Sequence, residues 1–153
     1  MQRAAQRLKV QGISAQQLIQ DMQTLQKLHA LFVFDLKSAV DSPEHFATNL
    51  DAYCISSGVT DTGTAGLPLL RQESLAAMQQ IHAGHVAQKD MEIGGIPGLR
   101  TTYTLSSAAG TLKGQQLEVE PKPDRACFVT LTAPARQFPN AVLPVVAATT
   151  VFS

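Results

Sequence analysis

Residues Ile93–Ala133 read IGGIPGLRTTYTLSSAAGTLKGQQLEVEPKPDRACFVTLTA, and this stretch decides the fold. Runs in which apolar and polar residues alternate are separated by clusters rich in Gly, Pro, Ser and Asp. Alternation with a period of two is typical of strands with one buried face, and such clusters form turns. The stretch therefore predicts an antiparallel meander of three strands, Leu99–Ser106, Leu112–Glu120 and Arg125–Thr132.

Further strands are predicted before this meander. Residues Ala30–Lys37 have a continuously apolar centre, which is typical of a strand covered on both faces. Residues Asn49–Ser56 fit a helix or a strand, and we favour a strand because apolar and polar positions alternate along it. Val86–Ile93 is the next predicted strand, and the glycine-rich run Gly94–Gly98 is predicted to be a tight turn into the meander.

The first 29 residues are predicted to be a helical segment. Residues 2–10 are good helix formers, Gly12 breaks the run, and Ser14 with Gln17 three residues later has the pattern of a capping box. The apolar residues that follow recur at helical spacing, at Leu18, Met22, Leu25 and Leu28. We expect this apolar face to pack on the chain's own sheet, and a helix that binds a partner is the alternative.

Three more helices complete the pattern. Ser42 and Pro43 suit the cap and first position of a turn or short helix that carries His45 and Phe46, and Leu67–Ala83 is a longer helix. Phe138–Thr150 is apolar and helix-like, although Pro144 interrupts it. The inner side of the second helix is predicted to carry Leu70, Ser74, Ala77, Met78 and Ile81. The whole order predicts an α+β domain whose largely antiparallel sheet of about six strands is flanked by helices.

The composition narrows the class of function. The chain has 153 residues, which suits one domain, and 12 Lys+Arg balance 12 Asp+Glu. A neutral chain without a basic run is a poor binder of nucleic acid and of anionic lipid surfaces. Aromatic residues are 5% and Trp is absent, which argues against an aromatic stacking platform.

The sequence contains no segment that would place it in a membrane. No apolar run approaches the roughly 18 residues that a membrane helix needs. Residues 1–10 lack the apolar segment of a signal peptide, and an exported protein fits this sequence if it begins after a removed signal.

The two cysteines, Cys54 and Cys127, have a spacing that fits neither a zinc motif nor a redox motif. From the spacing alone, two separate buried thiols and one disulfide remain open alternatives.

The motifs that carry chemistry elsewhere are incomplete in this chain. The run Gly94–Gly98 lacks the Lys-Ser/Thr of a phosphate loop, and a strand rather than a helix follows it. His82 and His85 have zinc-ligand spacing but no third ligand nearby, so solvated histidines are the better interpretation. No Gly-x-Ser-x-Gly elbow is present. We therefore predict no catalytic, cofactor-binding or metal-binding residue and no cofactor.

One group of apolar residues suggests a binding groove. Leu67, Leu69 and Leu70 follow the Gly/Thr-rich loop, and with Met78 and Met91 they could line a groove between helix and sheet. Such a groove would suit an acyl chain or a partner helix. Plain core packing is the alternative and the favoured interpretation of these residues.

Three segments resemble a known fold family. The segments IGGIPGLRTTYTL and GTLKGQQLEVEPKPDRACFVTLTA, and a terminal helix ending in ATTVF, resemble the PsbP-like α/β/α sandwich. Within it they are most similar to the LpqN/LpqT-type lipoproteins and secreted proteins of mycobacteria and related actinobacteria. ALFVFDLKS and FATNLDAYC resemble the first two strands of that family. The likeness covers roughly residues 30–153. The lipobox cysteine of a lipoprotein is absent.

The resemblance implies a domain organisation and a compartment. It implies one domain over residues 1–153, with a helical segment at 1–29 and a PsbP-like core at 30–153. It implies export to the cell envelope, with membrane attachment only through an N-terminal anchor that this chain lacks. Because that compartment is oxidising, the resemblance also implies a Cys54–Cys127 disulfide.

The function that the resemblance implies is non-enzymatic. We expect a secreted or envelope-anchored accessory protein that acts through protein–protein interaction or assembly, and does not bind nucleic acid. The alternative is a carrier of a lipid or a small apolar ligand in a helix–sheet groove. An enzyme is the third hypothesis, and it would require a cleft with converging polar side chains.

Overall fold

The computed structural model describes residues 30–43, 45–58, 60–107 and 110–152. Within these ranges the chain forms a six-stranded antiparallel sheet accompanied by α-helices. The predicted α+β class is therefore confirmed. The helical prediction for residues 1–29 lies outside the described residues.

The elements are numbered in chain order. The strands are β1 (Leu31–Asp35), β2 (Thr48–Ile55), β3 (Gly84–Ile93), β4 (Ile96–Ser107), β5 (Gly110–Lys122) and β6 (Arg125–Pro134). The α-helices of the described residues are α1 (Leu36–Asp41), α2 (Leu67–Gln80) and α3 (Val142–Thr149). Short 3₁₀ turns lie at Gly63–Ala65 and Ala135–Gln137.

The strand order in the sheet is β1-β2-β6-β5-β4-β3, and each neighbouring pair is antiparallel. Strands β3 to β6 form a meander of four strands, one more than predicted, because the turn before β4 is short. It consists of Gly94 and Gly95, whose φ angles are 59° and 78°, and it pairs Ile93 with Ile96. Two consecutive positive φ angles suit glycine and match the twist of a hairpin. The predicted turn Gly94–Gly98 therefore ends early, and Ile96 already belongs to β4.

The alternation along β5 separates two faces of the sheet. Leu117 and Val119 pack in the main hydrophobic cluster with Leu143 and Ala147 of α3. The backbone N–H of Gly94 also donates to the carbonyl of Ala147 at 2.8 Å, which ties the β3–β4 turn to α3. The face that carries α3 therefore holds most of the apolar core.

Glu118 lies between Leu117 and Val119 and contacts α2 instead. The buried residues of α2 are Leu70, Ser74 and Met78. Ala77 and Ile81 were also predicted on the inner side of this helix, but both are exposed. The helix ends at Gln80, so Ile81 caps it rather than continuing its buried stripe.

Strand β1 does not have the environment that its sequence predicted. It pairs only with β2 and forms an edge of the sheet, and all five of its residues are exposed. Leu31 and Val33 are 58% and 51% exposed among the described residues. An apolar run shows that a segment can be buried, but whether its faces are covered depends on which elements pack against the sheet there.

The structure also tests two predicted helix boundaries. The segment after Ser42, predicted as a turn or a short helix, forms a turn in which the backbone N–H of His45 donates to the carbonyl of Ser42 at 3.0 Å. Helix α1 precedes it and ends at Asp41, and Asp35 caps α1 by accepting a hydrogen bond from the backbone N–H of Lys37 at 3.0 Å. Helix α3 begins at Val142, which places Pro144 in its first turn. Proline is tolerated in a first turn, where backbone N–H groups have no partner within the helix, so Pro144 does not interrupt α3.

Candidate functional site

An open groove with a volume of about 900 Å³ lies where β1, β2 and β6 meet α3 and the chain that follows it. Its apolar lining includes Leu31, Leu50, Ala52, Val129, Val146 and Phe152. Leu50, Ala52 and Cys54 occupy alternate positions of β2, so their side chains point to the same face of the sheet. The groove is therefore an extension of the apolar core that remains open to solvent.

A disulfide joins Cys54 and Cys127 in the lining of this groove. The two residues are directly opposite each other on β2 and β6, with a Cα–Cα distance of 4.0 Å. The predicted Cys54–Cys127 disulfide is confirmed. It links positions 73 residues apart. It joins β2 to β6, the pair that connects β1 and β2 to the other four strands of the sheet.

One end of the groove is charged. Lys122, Asp124 and Arg125 line it from the β5–β6 hairpin, where Lys122 and Arg125 are paired in register. The Asp124 carboxylate accepts hydrogen bonds from Ser56 Oγ and from the Gly58 backbone N–H, both at 2.7 Å. These two hydrogen bonds lower the pKa of Asp124.

A buried polar cluster lies on the other face, beneath α2. Glu118 is 1% exposed, and its Oε1 accepts hydrogen bonds from Ser74 Oγ at 2.6 Å and from Thr101 Oγ1 at 3.0 Å. Desolvation by burial raises the pKa of Glu118 to about 7, despite the two hydrogen bonds that favour the carboxylate. Arg71 of α2 pairs with Asp90 of β3 and helps to hold the helix on this face.

Strand β2 carries a second perturbed carboxyl on that face. Burial raises the pKa of Asp51 to about 6, and a hydrogen bond from Thr130 opposes the shift. The neighbouring ring of Tyr53 stacks on Phe128 with a centroid distance of 5.3 Å. Burial thus raises the pKa of both Asp51 and Glu118 above the ordinary value of a carboxyl group.

The structure does not bring together the residues predicted to line a groove. Leu70 and Met78 are buried beneath α2, whereas Met91 packs against the core cluster beneath α3. Leu69 is 42% exposed. The observed groove instead uses β2 and β6 and the end of α3. The sequence signal for this groove was the apolar alternation around each cysteine. The spacing of the two cysteines alone did not show that these two segments form one surface.

The predicted histidine pair stays apart from other ligand types. His82 follows α2 and His85 lies in β3. Across the described ranges, no group of three or more His, Cys, Asp or Glu side chains could hold a metal ion. No helix within these ranges is long and apolar enough to span a bilayer.

Comparison with known proteins gives a similarity in fold. Neither a protein family nor a curated protein sequence matches the chain. The fold is similar to the crystal structure of PA94 from Pseudomonas aeruginosa, a protein of unknown function described as a candidate regulator. The TM-score is 0.61 with 17% identity over 81% of this chain and 83% of PA94. At this identity the similarity concerns the fold alone.

Proposed function

We propose that this chain is a non-enzymatic binding protein of the PsbP-like α/β/α-sandwich type, exported to the cell envelope like the LpqN/LpqT-type proteins that it resembles. Two observations support this proposal. Helices α2 and α3 contact residues that alternate along β5, as a helix layer on each side of the sheet requires. The Cys54–Cys127 disulfide is of a kind that persists in oxidising compartments.

The groove beside the disulfide is the proposed binding site, and its open apolar lining is the observation that carries the proposal. Ligand sites are concave and mostly apolar, with volumes of about 300–1,000 Å³. The groove has a volume of about 900 Å³. Apolar surface that remains open in this way would be buried by a hydrocarbon chain or an apolar side chain, with a gain in free energy. We therefore favour carriage of a lipid or a small apolar ligand.

The test is to fill the groove with a larger side chain. Ala52→Phe places a ring on its floor, and Ala87→Phe is the matched control at an exposed position of the far edge strand β3. We expect a fluorescent apolar probe to bind the wild type and the Ala87 variant equally, and to bind the Ala52 variant at least about tenfold more weakly. Circular dichroism would verify that both variants are folded. A wild type that binds no apolar probe would contradict the proposal.

A protein partner is the second candidate, and strand β1 favours it. This edge strand presents five exposed residues, LFVFD, with unpaired backbone groups along one side among the described residues. Exposed, apolar edges of this kind pair with strands from other chains. Val33→Lys would add a charge to this edge, and Val40→Lys on α1 is the matched control at a 75% exposed position. Cross-linking in the native cells should lose a specific partner with the first variant only. An identical cross-linking pattern for both variants would count against this candidate.

The proposed absence of catalysis has its own test. Reproducible turnover of any substrate that disappears when one polar residue, such as Asp51 or Glu118, is replaced by its amide would overturn the non-enzymatic assignment.

A further inference from the structure

The groove differs in charge between its two ends. The lining residues near Leu31 and Leu50 are uncharged, whereas the other end carries Lys122 and Arg125 with Asp124 as its carboxylate. Asp124 already accepts two hydrogen bonds from Ser56 and Gly58. This leaves the exposed ammonium group of Lys122 as the group at this end that is suited to receive an anion.

The cationic end contrasts with the rest of the chain. Residues 30–153 contain 8 Lys+Arg and 11 Asp+Glu, so this part of the sequence has a net charge of 8 − 11 = −3 with neutral histidines. The groove lining has two cations and one carboxylate. A local excess of positive charge on an acidic domain marks a place where an anionic group is favoured over a neutral or cationic one.

The apolar part of the groove is elongated. Leu50, Ala52 and Cys54 occupy successive positions on the same face of β2. Cys54 is opposite Cys127 of β6, which lies two residues from Arg125, the partner of Lys122 in the β5–β6 hairpin. A strand rises about 3.3 Å per residue, so the floor from Leu50 to Cys54 is roughly 13 Å long. Val146 and Phe152 line the groove beside this floor. An apolar floor of this length that ends at positive charge matches a hydrocarbon chain with an anionic head.

We propose that the groove binds a long-chain carboxylate, with its hydrocarbon chain along Leu50, Ala52 and the disulfide and its carboxylate at Lys122. The proposal rests on the proposed function of the groove as a binding site and adds the chemical class of the ligand. Lys122 is exposed, so its ammonium group reaches a head group at the mouth without a buried, unpaired charge in the empty protein.

The experiment compares dodecanoate with dodecanol, which has the same chain and no charge, in displacing a fluorescent apolar probe from the full chain. We expect dodecanoate to bind about fivefold more tightly at neutral pH, since an exposed charge pair contributes a modest free energy. Lys122→Gln should remove this preference for dodecanoate over dodecanol, and Lys122→Arg should restore it. Lys89→Gln on β3 is the matched control and should retain the preference.

Different results separate the two proposals. Equal affinities for dodecanoate and dodecanol in the wild type, or a preference that survives Lys122→Gln, would overturn the assignment of an anionic ligand while the apolar groove still binds. If neither compound displaces the probe because the probe does not bind at all, the proposed function of the groove fails as well.

Discussion

At the scale of single residues, Glu118 is the most unusual group in the described part of the chain. Its side chain is buried in the sheet beneath α2, where water cannot solvate the charge. Ser74 and Thr101 supply two hydrogen bonds, which keep the carboxyl satisfied but do not outweigh desolvation. Burying a carboxylate without a cationic partner is costly, so the neutral acid is the form that the fold favours.

This predicts a pH dependence of stability. The pKa of Glu118 is about 7 in the folded protein, whereas the ordinary pKa of a solvated glutamate is 4.5. The folded state therefore holds the proton more tightly than the unfolded state, and the free energy of unfolding falls as pH rises from about 4.5 through 7. Across this window the loss for one such group is on the order of 3 kcal/mol. The raised pKa of Asp51 acts in the same direction.

Urea unfolding of the wild type and of Glu118→Gln at pH 5 and pH 8 would measure this effect. The variant should lose less stability than the wild type between the two pH values, because its amide stays neutral while its carbonyl oxygen still accepts hydrogen bonds. The exposed Glu92→Gln on β3 serves as control and should follow the wild type. Parallel pH dependence of the wild type and Glu118→Gln would contradict the prediction.

At the scale of secondary-structure elements, the pairing of β4 with β5 depends on a glycine that lets an aromatic ring of the neighbouring strand approach its backbone closely. Tyr103 and Gly114 are opposite each other in register, and the Tyr103 ring lies where a Cβ at position 114 would be. An aromatic ring that covers a glycine in the neighbouring strand compensates for the surface that the missing side chain leaves open.

Gly114→Ala should therefore destabilise the protein by about 1–3 kcal/mol, because the added methyl group displaces the ring. In a Tyr103→Leu background the same substitution should cost much less, since the smaller side chain leaves room. Chemical denaturation of the four proteins of this double-mutant cycle measures the coupling between the two positions. An equal cost of Gly114→Ala in both backgrounds would show that the ring does not set the requirement for glycine.

At the scale of the whole molecule, the sheet connects two packed regions. Leu143 of α3 is 1% exposed in the main cluster, and Met78 of α2 is 3% exposed among its buried residues. The β4–β5 and β5–β6 pairs run beneath both regions, so neither can lose its packing without disturbing strands that the other needs. We therefore expect the described residues to unfold as one cooperative unit.

Leu143→Ala and Met78→Ala should each destabilise the protein by about 2–5 kcal/mol and leave one cooperative transition. Thermal unfolding followed by far-UV and near-UV circular dichroism should give coincident midpoints for the wild type and for both variants. The exposed Leu69→Ala on α2 is a control that should change the midpoint little. A transition that separates into two steps for either core variant would contradict the single domain.

Local patterns in the sequence predicted those strands and turns that depend on residues close together along the chain. The alternation in β4, β5 and β6 predicted their strands to within a few residues, and the glycines after Ile93 predicted a turn. Of the turn or short helix predicted at Ser42, the structure has the turn, and Asp35, an equally good cap seven residues earlier, starts α1. Sequence preferences identify residues that can cap a helix, and competition between them decides which one does.

The α+β class and the meander can be predicted from local patterns, because a period of two and turn residues act through neighbours along the chain. The edge position of β1, the pairing of β2 with β6 and the opposition of Cys54 and Cys127 arise from contacts between distant segments. The groove results from that pairing. The burial of Glu118 beneath Ser74 results from the packing of α2 on the sheet. These features join residues far apart in sequence, and periodicity shows which side of an element is apolar but not which element covers it.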